Sequence, residues 1–136
     1  MCWTYLQRSG ELLDPAGKLA AIGYSGMGPE KNDPAAQNIP NMGPLPVGRY
    51  TINAPFNSPK LGPWAMYLTP DPANQEFGRG GFFMHGDSIA HPGCASEGCI
   101  VMPEIVRQAV WASGDRELQV ISGQPIEWGD DMGEGE

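Results

Sequence analysis

One histidine and one cysteine, His85 and Cys99, each sit at the end of an apolar, strand-like run, and together they could form a base–nucleophile pair. His85 closes Phe82-Phe83-Met84 and is followed by Gly86-Asp87-Ser88; Cys99 opens Ile100-Val101-Met102 and is preceded by Ser96-Glu97-Gly98. A fold that brings the two runs together would set an imidazole against a thiol. A cysteine becomes a useful nucleophile only when a base or a positive environment favours its thiolate near neutral pH. Gly98 permits a tight turn and leaves room for a substrate carbonyl beside the sulfur. The chemistry expected is acyl transfer. Cys99 would attack an amide carbonyl and form a thioester, and His85 would take the thiol proton and return it to the leaving amine. The backbone N–H groups of Gly98 and Cys99 would face the developing oxyanion. Ser96 would brace the turn or bind substrate, and Gly86 and Asp87 would orient the base or contact substrate. Of the two histidines, His85 is preferred because it ends an apolar run before a glycine, whereas His91 lies in a proline-containing loop.

The elements around this pair read as short strands joined by tight turns. Gly (19) and Pro (14) punctuate hydrophobic segments without forming a repeat. Strands are expected at Trp3–Leu6, Lys18–Tyr24, Arg49–Asn53, Trp64–Leu68, Phe82–His85, Ile100–Met102 and Leu118–Ser122, with Asp14-Pro15-Ala16-Gly17 as a turn. Residues 25–46 form a long Gly/Pro/Asn-rich loop, either bordering a groove or making a surface excursion. A single helix is expected from Pro103, a favourable first residue, with Ile105, Val106, Ala109 and Val110 on its apolar face and Gly114 as its stop. Tyr24, Tyr50, Trp64 and Tyr67 could line a groove or fill the core. The fold expected is mostly β with one helix after the Cys99 strand, in a single domain over residues 1–122. An acidic tail is expected over 123–136.

Sixteen acidic against eight basic residues, a net charge of −8, argue against nucleic acid or anionic membrane surfaces as partners. No stretch approaches membrane-spanning length, and no cationic segment followed by an apolar run opens the chain as a signal peptide would. The three cysteines, Cys2, Cys94 and Cys99, do not form a disulfide framework by count. A Cys94–Cys99 bond would silence the nucleophile, a Cys2–Cys94 bond would tie the amino terminus near it, and a reduced Cys94 is the simplest state.

His-Gly, a loop, and then Ser-x-Gly-Cys-Ile-x-Met resembles the signature of the L,D-transpeptidase catalytic domain, a family that remodels peptidoglycan stem peptides. Gly23-Tyr24-Ser25-Gly26 and Gly43-Pro44-Leu45-Pro46-Val47-Gly48-Arg49-Tyr50-Thr51-Ile52 resemble the strands that precede that site. With the Trp3-Thr4-Tyr5 opening, the chain is most similar to the type VI secretion effector branch over residues 3–122. The resemblance implies a compact L,D-transpeptidase-like β-sandwich or barrel, no cofactor, and a backbone carbonyl orienting His85, with Asp87 as the side-chain alternative. It also implies attack by Cys99 on the third stem residue with loss of terminal D-alanine. The acyl group would pass to water, a D-amino acid or a second stem. An effector of this kind is made in the cytoplasm, delivered by a secretion apparatus to a target cell's periplasm, and countered by a cognate immunity protein. The family commonly carries Arg two residues after the cysteine. Here that position is Val101, so the arginine's role would be supplied by Arg79 or Arg49, or would be absent. Two competing readings are a zinc-stabilised module using His85, His91, Cys94 and Cys99, and a catalytically inactive wall-binding domain.

Overall fold

Short runs in which alternate residues are buried build the chain into strands, and the computed structural model describes residues 1–91, 93, 96 and 98–123. In order these are β1 (Trp3–Leu6), β2 (Glu11–Leu13), β3 (Leu19–Ile22), β4 (Tyr24–Ser25), β5 (Gly48–Ile52), β6 (Phe56–Ser58), β7 (Gly62–Pro70), β8 (Phe83–His85), β9 (Ile100–Val101) and β10 (Glu117–Ile121). Helix α1 (Glu104–Ala112) lies between β9 and β10. Neighbouring strands follow the order β3-β2-β1-β10-β5-β7-β8-β9-β4, with β6 paired onto β7.

The fold is mostly β with a single helix, as expected, and its sheet is not closed into a barrel. The two edge strands, β3 and β4, are nevertheless separated in sequence by Gly23 alone. The sheet must therefore curl until its edges nearly meet. Glycine is required where the curl is tightest: a Cβ on Gly23 would lie 1.9 Å from the Val101 carbonyl oxygen. The expected strand from Lys18 to Tyr24 thus splits in two at this residue.

The inward-facing residues of the strands form the core. Along β5, Tyr50 and Ile52 are buried while Arg49 and Thr51 are exposed. The facing strand matches it, with Leu118 opposite Tyr50 and both Leu118 and Val120 buried. Trp3 and Tyr5 of β1, Met66 and Leu68 of β7, Met84 of β8 and Ile100 of β9 complete the same cluster. Removing these side chains from water is the main force holding the sheet curved. Tyr50, one of the aromatic groove candidates, is core; its hydroxyl donates to the Pro46 carbonyl at 2.7 Å.

Helix α1 corrects one expectation. Pro103 is its N-cap rather than its first residue, and Gly114 follows it with φ +79°. Its buried residues are Arg107 and Val110, with Val106 and Trp111 packed against the core, while Ile105 is 77% exposed. The buried stripe is rotated by about one position because an arginine, not Ile105 or Ala109, occupies it. The loop over 25–46 contains two short 3-10 turns, Gly28–Glu30 and Pro34–Ala36, and anchors itself through buried Ala36 and Leu45. Among the described residues no helix is long and apolar enough to cross a membrane. The acidic tail lies, from residue 124 onward, outside the described residues, as do Pro92, Cys94, Ala95 and Glu97.

Candidate functional site

Strands β8 and β9 run parallel, with Met84 opposite Ile100 and His85 opposite Val101. The two-residue period of a strand sends Met84 and Ile100 into the core, where both are fully buried. His85 and Phe83 then belong to the other face, and Cys99, directly before Ile100, shares it. His85 and Cys99 accordingly line one cleft of about 550 Å³, together with Asn41, Lys60, Gly81 and Asp87. Asn41 comes from the 25–46 loop, so that loop borders the cleft. A second cleft of about 740 Å³, lined by Tyr24, Ile89 and Met102 among others, shares Lys60, Leu61, Gly86 and Asp87 with the first. His91 lines neither.

His85 is held in one tautomer. Its Nδ1 lies 2.7 Å from the Gly86 carbonyl oxygen. A carbonyl only accepts, so Nδ1 carries the hydrogen and Nε2 is the basic nitrogen of the neutral ring. The His85 carbonyl in turn accepts from the Met102 N–H at 3.0 Å. Burial pushes the His85 pKa below the ordinary histidine value. The Gly86 carbonyl opposes that shift, the nearby Arg107 charge adds to it, and Asp87 opposes it weakly.

Asp87 serves the loop rather than the base. Its carboxylate accepts from the Tyr24 hydroxyl at 2.6 Å, the Ser88 N–H at 2.8 Å and the Gly93 N–H at 3.0 Å. Its slight burial favours the neutral acid, but these hydrogen bonds outweigh it and hold the carboxyl below its usual range. Asp87 thus ties β4 to the segment after β8.

Ser96 is fully buried and braces the turn. Its Oγ accepts from the Gly26 and Gly98 N–H groups, at 3.0 and 3.1 Å, and donates to the Cys99 carbonyl at 2.6 Å. The Gly98 N–H is therefore engaged already, and would have to leave Ser96 to meet an oxyanion. The Cys99 thiol donates to the Gly81 carbonyl at 3.7 Å.

Two arginines shape the site from behind. Of the two candidates for the charge missing at Val101, Arg49 is exposed and pairs with Glu117 on the neighbouring strand. Arg79 lies beside Gly98, where an added Cβ would come 2.1 Å from its Nη2. The third arginine, Arg107, was not among the expected site residues. From the helix it donates to the Met102, Pro63 and Trp64 carbonyls at 2.8–2.9 Å. It also lies against Gly86, where a Cβ would sit 2.7 Å from its Nη2. The only sequence signal was a cation three residues before Val110 on an otherwise apolar helical stripe.

Gly98 has φ +128° as well as this close approach. Gly98→Ala is expected to lower stability by about 1–3 kcal/mol through backbone strain and displacement of Arg79. Chemical denaturation measures this, and an unchanged midpoint would mean that the turn relaxes freely.

For the zinc alternative, no group of three or more metal-ligating side chains occurs among the described residues, and Cys94 lies outside them. Cys2 is a free thiol, half-buried on the amino-terminal side. A family model, the Tlde1 domain, matches residues 20–122. That span includes the whole cleft and omits β1 and β2. No curated protein and no solved structure matches the chain.

Proposed function

Because the chain belongs to the Tlde1 domain family, a type VI secretion effector domain of L,D-transpeptidase-like type, we propose that it is a cysteine acyl-transferase acting on peptidoglycan tetrapeptide stems. The observation that carries this reading is the shared cleft of His85 and Cys99, with the Gly86 carbonyl leaving His85 Nε2 as the basic nitrogen.

Cys99 Sγ attacks the carbonyl of the third stem residue while His85 Nε2 takes the thiol proton. The N–H of Cys99 faces the oxyanion. The tetrahedral intermediate collapses, the bond to D-alanine breaks, and His85 returns its proton to the departing amine. The thioester left on Cys99 is then attacked by water, a D-amino acid or the amine of another stem; His85 accepts that nucleophile's proton, the C–S bond breaks, and the departing Cys99 thiolate regains its proton from His85. Hydrolysis, exchange and cross-linking differ only in this second nucleophile. Ser96, Gly86 and Asp87 are orienting residues: Ser96 fixes the Cys99 turn, Gly86 fixes the imidazole, and Asp87 fixes the loop between them. The secretion apparatus would deliver the domain to the periplasm of a target cell, and a cognate immunity protein would protect the producer.

The test is mass spectrometry of tetrapeptide-stem muropeptides incubated with the reduced, folded protein. Loss of D-alanine, its replacement, or new dimers would support the reading and name the acceptor. Unaltered muropeptides would favour a wall-binding role. The pH profile adds a second check. The base must be neutral to act, and its pKa is lowered, so the acid limb of kcat/KM is expected below the ordinary histidine value of about 6.5. An acid limb at or above that value would mean that His85 is not the base in this environment.

A further inference from the structure

We propose that Arg79 is a positioning residue that sets the acidity of Cys99, lowering the thiol's pKa toward that of His85 so that the proton can pass between them. The inference rests on the acyl-transfer reading but concerns a property of the site that needs no substrate to measure.

The problem it solves is energetic. An ordinary cysteine thiol titrates near 8.5 and an ordinary histidine near 6.5. Burial holds His85 below its ordinary value, so proton transfer from an unassisted Cys99 would be uphill. The thiol's contact with the Gly81 carbonyl, 3.7 Å away, favours the neutral thiol and widens the gap. The imidazolium formed by the transfer attracts the thiolate and offsets part of this gap; a fixed positive charge lowers the thiol's pKa further and does so before the proton moves.

Arg79 is built to be such a charge. Its guanidinium is held by three carbonyls of the 25–46 loop: Nη1 donates to Gln37 at 2.5 Å and Pro44 at 2.8 Å, and Nη2 donates to Gly43 at 3.0 Å. Its charged group also lies over the Phe82 ring, 5.8 Å from the centroid. These contacts hold the guanidinium with Nη2 against Gly98, the residue joined to Cys99. The electrostatic coupling is mutual: burial lowers the Arg79 pKa, while Tyr50 and Cys99 act to raise it. Burial keeps the Tyr50 hydroxyl neutral, so Tyr50 does not cancel the arginine's charge.

Among the described residues, the other ionisable groups lining the cleft with Cys99 are His85 from β8, Asp87 from the loop after it and Lys60 from the β6–β7 hairpin. Asp87 opposes a thiolate, and it is engaged by Tyr24, Ser88 and Gly93. Lys60 is exposed at the cleft rim, where its charge is screened by water. Arg79 is not among the residues lining the cleft. It acts through Cys99 and does not touch substrate.

The test is the pH dependence of iodoacetamide alkylation, followed on the Cys99-bearing peptide by mass spectrometry. Arg79→Gln is expected to raise the alkylation midpoint by about one pH unit or more, and Arg79→Lys to restore most of the shift. Equal displacement in Arg79→Gln and Arg79→Lys would assign the effect to lost carbonyl contacts and overturn the proposal. Should Arg79→Gln not fold, His85→Gln decides, because it leaves Arg79 in place. A midpoint that stays below about 8.5 supports the proposal, and a return to that value assigns the whole effect to His85. Failure here leaves the peptidoglycan reading to the muropeptide assay, which is independent of it.

Discussion

Cys99→Ala, directed to the periplasm of a susceptible bacterium, is expected to lose all toxicity, and to release D-alanine from tetrapeptide stems about 10⁴-fold more slowly than the parent. The size of the effect follows from the lack of a substitute. The other hydroxyl side chains of the cleft, Ser58 and Ser88, are occupied in turns. Ser58 Oγ accepts from the Lys60 and Leu61 N–H groups at 3.2 and 3.0 Å, and Ser88 Oγ accepts from the His91 N–H at 3.0 Å. Ser96 is closer in sequence, but it is fully buried with three hydrogen bonds committed to the turn. Toxicity retained by the alanine variant at equal expression would mean that the domain kills without a thioester.

Arg107→Leu is expected to destabilise the fold by about 3 kcal/mol, because it strands the buried Met102 carbonyl and removes the donor to the partly buried Pro63 and Trp64 carbonyls. For a domain of this length that corresponds to a fall of about 10 °C in the melting temperature. The same side chain joins α1 to β7 and packs against Gly86, whose carbonyl holds the His85 imidazole. Loss of the guanidinium also removes a charge that lowers the His85 pKa, so the acid limb of activity should move upward with the loss of stability. Thermal unfolding monitored by circular dichroism checks the first effect. A change within about 2 °C would show that the carbonyls find other donors.

Much of this arrangement was legible in the chain because it rests on local signals. The apolar runs around His85 and Cys99 have strand periodicity and abut glycines, and their parallel pairing places both side chains on one face. What stayed hidden depends on contacts between distant segments. Strands β2 and β6 are three residues each; they exist because longer neighbours pair with them, and so little sequence carries no clear period. The buried face of α1 was misread because a stripe containing arginine looks amphipathic the other way round. Arginine 107 is tolerated inside only because carbonyls from β7 and from the end of β9 receive it. Arg79 could be named as a candidate from its charge, but no spacing rule brings a residue before β8 against a turn before β9. The Gly98 N–H, a natural oxyanion donor on sequence grounds, is engaged by Ser96 two residues earlier, an interaction of the turn's own geometry.

Acid-quenched mass spectrometry of the reduced protein with a tetrapeptide-stem muropeptide would capture the Cys99 thioester itself, with Cys99→Ala run in parallel and D-alanine measured in the same quench. An adduct equal to the stem minus D-alanine is expected on the Cys99-bearing peptide, with D-alanine released by the parent chain alone. Equal D-alanine release by Cys99→Ala, or an adduct carried by any other residue, would contradict the Cys99 thioester.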